Sequence, residues 1–158
     1  MNLFRPALVA ALLLVSACTF EEGPMPPQPE PNAAPAPAQR AQPTAPNEVA
    51  QEILRYFEAA GYRRFQAEAL ADHAHVESGF RPCAAGPHGL RYMFQWGGLR
   101  LQRLREFAGG PGCPSIDVQL AFSDHELRSE ANYGCFWRAQ DRASAFQALR
   151  RGFGQGRC

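Results

Sequence analysis

Along residues 47–158 the apolar positions recur mostly at helical spacing. Val49, Ile53, Leu54 and Phe57 mark one face of a first helix, which Asn47 would cap and Gly61 would end. Phe65, Ala69, Ala74 and Val76 predict a second helix over about 64–78. A Pro/Gly-rich loop over 80–89 leads into a short apolar segment, 90–96, and then a helix over about 99–107. Gly109-Gly110-Pro111-Gly112 breaks that helix. Ser115 opens the next, with Ile116, Leu120, Ser123 and Leu127 on one face, and a last helix over about 141–151 carries Phe146, Leu149 and Arg150. The pattern predicts a mainly α domain, about four to six short helices around long loops, with little room for a sheet.

The N-terminus follows a different rule. Residues 7–15 are apolar without interruption, Arg5 precedes them and Ser16-Ala17 follow, which is the layout of a secretory signal peptide. The run is shorter than the roughly 20 residues a spanning helix needs. Val15-Ser16-Ala17-Cys18 resembles the lipobox of bacterial lipoproteins, in which the cysteine thiol is acylated and becomes the new N-terminus. Cys18 is therefore the expected lipidation site, and each acyl methylene buried in a membrane there contributes about 0.8 kcal/mol of anchoring. Thr19 resembles the residue that follows in lipoproteins sent to the outer membrane, so the expected location is the cell envelope, facing the periplasm. Nine of the fourteen prolines lie in 19–46 among Ala, Gln and Glu, a composition that buries no core and favours extended conformations. Such a tether reaches on the order of 85 Å. The expected organisation is a signal peptide over 1–17, a lipid-anchored linker over 18–46 and one folded domain over 47–158.

Composition then narrows the chemistry. The 158 residues carry 16 basic and 15 acidic side chains, a net charge of +1, which excludes a strongly basic nucleic-acid binder. Arg63-Arg64 and Arg150-Arg151 read as solvated charges, with attraction to an anionic wall as the alternative. Cys83, Cys113, Cys135 and Cys158 fall in an exported domain and none is part of a C-x-x-C pair, so disulfides are expected rather than a thiolate metal site. The expected pairing is Cys83 with Cys113, joining two loops, and Cys135 with Cys158, holding a flexible glycine-rich tail over 152–158.

Glu77 stands at the end of the second predicted helix, just before Gly79. A carboxyl placed there can be walled by apolar neighbours on one side and face a cleft on the other, which raises its pKa towards that of a general acid at neutral pH. On a strand, His73, His75 and Glu77 would share a face and form a metal triad. On the helix that Gln66-Ala-Glu-Ala-Leu-Ala favours, His75 turns away by about 200°, so no metal or cofactor is expected. The histidines then read as surface or cap residues, with His73 placed one turn from Glu77 and able to tune it.

Glu77-Ser-Gly-Phe-Arg-Pro82, Met93-Phe-Gln-Trp96, the set Arg100, Arg103, Leu104, Phe107 and Ala108, and Gln119-Leu-Ala-Phe-Ser-Asp-His-Glu-Leu127 follow one another in that order. Together they resemble the phage tail lysozyme family of the lysozyme-like superfamily, related to the lytic transglycosylases. The resemblance implies an α+β lysozyme-like fold and a substrate, peptidoglycan, whose glycan strands Glu77 would cleave as the acid. It also implies that Ser78, Phe94, Gln95 and Trp96 line the substrate cleft. Tyr92 stands where that family carries a glycine, and its ring would either narrow the cleft or give a sugar a stacking platform. Two-carboxylate glycosidases hold their acids about 5–9.5 Å apart. Asp124 and Glu126 are the candidate second acids, although with Glu130 they also fit the solvated face of their helix. Without a second acid, Glu77 suits the transglycosylase reaction; a wall-binding module that keeps the fold without turnover is the alternative.

Overall fold

The computed structural model describes Pro43 and residues 45–154; the signal segment, Cys18, most of the tether and Cys158 lie outside the described residues. The domain is mainly helical. Helix α1 spans Pro46–Ala59 and buries Val49, Ile53 and Phe57, the predicted stripe. Its cap is not Asn47. Pro46 takes the first helical position, where a missing N–H breaks no hydrogen bond, and holds Ala45 extended at φ −75°, ψ 139° as the cap.

Helix α2 spans Arg64–Ser78 and ends where Gly79 turns left-handed (φ 61°, ψ 37°). It is the central helix, packed against α1 and against α6, Arg142–Gly154. Ala67, Leu70, Ala71 and Ala74 are all buried, and the short side chains let both neighbours approach closely. Val76, placed on the apolar face by its spacing, is instead 62% exposed.

The segment after α2 is irregular but tightly bonded. Cys83–Cys113 is formed, joining the two loops as expected. Isolated antiparallel bridges Ala85↔Arg91 and Arg91↔Trp96 fold residues 85–96 back on themselves. Gln119, fully buried, clasps the segment: its Oε1 accepts from Met93 N (3.0 Å), and its Nε2 donates to the Pro82 and Pro114 carbonyls (3.1 and 2.9 Å). Helix α3, Gly98–Phe107, follows, and α4, Ile116–Ser129, starts on the Ser115 cap. A short helix α5, Gly134–Arg138, was not visible in the periodicity.

Helix α6 begins at the Asp141 cap, whose Oδ1 accepts from Ser144 N (2.8 Å), but it runs on to Gly154 where a flexible tail was expected. The cause is Phe153, whose ring packs against Tyr133 and His73 with centroids 4.9 Å away in each case. Among the described residues no helix is long and apolar enough to cross a membrane.

Candidate active site

Glu77 sits in the last turn of α2, and its side chain is 32% exposed. It lines a cavity of about 530 Å³ together with His73, Phe94, Gln95, Arg100, Arg150 and Phe153. Partial burial raises the carboxyl pKa above its ordinary value, against the opposing pull of the Arg150 and Arg100 guanidinium groups. The negative end of α2 also disfavours the anion.

His73, one turn earlier, is a buried residue, not the surface or cap residue its sequence context suggests. Its ring is parallel to that of Phe153 (4.9 Å, 6°) and stacks near Phe94 (6.0 Å). Burial, helped by Arg100 and Arg150, lowers its pKa from 6.5 to about 3, so the imidazole is neutral. Its Nδ1 lies 3.8 Å from Glu77 Oε1, too far for a hydrogen bond, and neither ring nitrogen has a hydrogen-bond partner. His75 points away, exposed and stacked on Phe80 at 5.1 Å, so the strand-like triad with His73 and Glu77 does not form.

The predicted cleft residues divide. Phe94 and Gln95 line the cavity with Glu77. Ser78 does not: it is buried and its hydroxyl donates back to the Ala74 carbonyl (3.0 Å). Tyr92 neither narrows the cavity nor offers a platform in it. Its ring is buried and its hydroxyl donates to the carbonyls of Pro111 and Gly112 (3.1 and 2.8 Å), tying down the glycine-rich turn. Trp96 lies in the core, with its indole N–H donating to Glu126 Oε2 (2.9 Å).

Neither candidate second acid lines the cavity. Asp124 accepts from the Tyr62 hydroxyl (2.6 Å) and from Arg128 Nε (2.7 Å). Glu126 is 2% exposed rather than solvated, because Arg100 grips both its oxygens, Nε to Oε1 at 2.8 Å and Nη2 to Oε2 at 2.7 Å. Glu130 is paired with Arg103 (2.8 Å). Among the described residues Glu77 is the only carboxylate lining this cavity.

Arg100, expected only as part of a helix motif, Arg150, expected as a solvated charge or one attracted to an anionic wall, and Phe153, expected in a flexible tail, all line the site. A signal for two of them exists: Phe146, Arg150 and Phe153 are spaced i, i+4, i+7 and so share one helical face. The loop wall is strained, since His88, Tyr92 and Gln95 hold left-handed φ values of 55°, 67° and 51°. Gly86 leaves room beside it for the Gln95 amide, which would have to shift to admit a β-carbon there. A larger groove of about 720 Å³ runs along the Cys83–Cys113 disulfide, but its lining holds no carboxylate and no imidazole.

Compared with family models, curated proteins and solved structures, the chain matches none of them, and the function of the site is therefore argued from its own residues.

Proposed function

We propose that this domain cleaves the glycan strands of peptidoglycan with Glu77 as general acid. The observation that carries the reading is a half-buried carboxyl of raised pKa facing a cavity walled by aromatic rings. A glycosidic oxygen held beside Glu77 takes its proton as the bond to the sugar carbon breaks. Phe94 and Phe153 form the apolar floor of the cavity, and the Gln95 amide and the backbone of Gly97 and Gly98 along its wall offer hydrogen-bonding groups to sugar hydroxyl and acetamido groups. With no second carboxylate lining the cavity among the described residues, capture by the sugar's own hydroxyl is the favoured second step: the Glu77 carboxylate takes that proton and a 1,6-anhydro ring closes. Lipidation at Cys18 and the 18–46 tether would hold the domain off the membrane, at the wall.

The test is mass spectrometry of fragments released from purified sacculi by the oxidised protein and by its Glu77→Gln variant. Anhydro-ended fragments from the unmodified protein alone support the transglycosylase reading. Reducing-ended ones indicate hydrolysis by water. No release, with sacculus binding retained by both proteins, overturns cleavage in favour of a wall-binding module.

A further inference from the structure

Among the described residues the cavity holds two guanidinium groups and one carboxyl, and the two cations are not equivalent. Arg100 is fully engaged: both Glu126 oxygens accept from it, its Nη1 donates to the Phe153 carbonyl (3.3 Å), and its guanidinium lies 4.6 Å from the Phe153 ring centroid. Arg150 has no hydrogen-bond or ion-pair partner among the described residues, although its field reaches both Glu77 and His73. Helical spacing fixes where it stands. It lies between Phe146 and Phe153 on the face of α6 that packs its rings against His73, at 6.4 and 4.9 Å, and so stands at the exposed rim of the cavity. No carboxylate of the described residues pairs with it directly: Glu126 is taken by Arg100, and Glu77 is not within ion-pair distance of Arg150. An occupant of this cavity therefore meets, across from Glu77, a guanidinium whose planar, two-pronged donor face is not taken by any described residue and matches a carboxylate.

Resting on the glycan-cleaving reading, we propose that Arg150 recognises a carboxylate on the glycan, so that the cavity selects acidic amino-sugar strands over neutral ones. The carboxylate has two possible sources on such a strand, the lactyl ether of a peptide-free muramic residue or the peptide attached to it.

The test measures binding to the full chain carrying Glu77→Gln, which removes turnover. Three tetrasaccharide probes are compared: a neutral β-1,4-linked N-acetylglucosamine oligomer, a peptide-free alternating oligomer with free lactyl carboxylates, and the same alternating oligomer bearing stem peptides. An acidic probe is expected to bind about tenfold more tightly than the neutral one. Adding Arg150→Gln should abolish that preference without weakening the neutral probe, and Arg150→Lys should restore part of it. Whichever acidic probe shows the dependence identifies the carboxylate. A preference that survives Arg150→Gln, equal binding of all three probes, or binding of none overturns the inference. Its failure is distinguishable from that of the cleavage reading. Sacculi left intact by the unmodified protein, beside Arg150-dependent acidic binding, remove cleavage alone; release from sacculi beside equal affinities removes only the role of Arg150.

Discussion

A carboxyl group that delivers a proton must still hold it at the working pH, and burial pushes Glu77 in that direction by removing part of its hydration. Cleavage should therefore fall as pH rises through that raised pKa, and Glu77→Gln should lower the rate by at least about 100-fold. Arg150 favours the anion, so Arg150→Gln should move the falling limb of the pH–rate profile of kcat/KM to higher pH. His73 titrates in the opposite sense. Its folded pKa of about 3 lies below the ordinary 6.5, so below pH 6.5 the unfolded chain binds a proton that the folded domain refuses. Stability should drop by roughly 1.4 kcal/mol per pH unit between those values and be unaffected above them. Urea unfolding of His73→Phe at pH 5 and pH 7 checks this: the substitution should remove that part of the slope. Glu77 is legible in the sequence because its placement depends on local signals, a helix end followed by Gly79. The burial of His73 is not, since the rings that enclose it come from Phe94 and Phe153, far along the chain.

Helices α3 and α4 are joined by a charged clasp as well as by the contacts of Phe107 with Phe122 and His125. Arg100 on α3 meets Glu126 on α4 through two hydrogen bonds, and Trp96, just before α3, supplies a third. Glu126→Gln keeps the shape but leaves a largely buried guanidinium without its counter-charge. Denaturant titration should show a loss near the lower end of roughly 3–5 kcal/mol, because 21% of the Arg100 side chain remains exposed. The bounds of α2 and the start of α4 are readable in the sequence, since Gly79 and Ser115 mark them locally. Glu126 reads there as one carboxylate on a polar helix face because its partners lie 26 and 30 residues away. At five residues, α5 is too short to show a period.

The irregular segment of the domain, residues 79–97, seats Tyr92, Met93, Phe94 and Trp96 in the core and is also fastened by links to other parts of the chain. Cys83–Cys113 closes a loop across a separation of 30 residues, Gln119 clasps Met93 and Pro82, and Tyr92 reaches Pro111 and Gly112. Replacing both cysteines by serine should cost about 3–4 kcal/mol of stability in chemical denaturation, with the melting temperature lowered to match. The mainly α class follows from helical periodicity, and the first bridge from cysteine positions in two loops. The cavity could not be read the same way, because its walls come from α2, the 86–98 loop, α3 and α6, which only tertiary packing brings together.

The chain has two tryptophans, and their surroundings differ in a way that makes the domain its own optical probe. The Trp96 indole donates to a carboxylate whose other partner, Arg100, lines the cavity, whereas the Trp137 indole donates to the Leu127 carbonyl. An acidic glycan seated beside this Glu126–Arg100 pair changes the field at the Trp96 ring and shifts its ultraviolet emission. Trp137, bonded elsewhere, stays as an internal reference, so occupancy can be followed by fluorescence without a label.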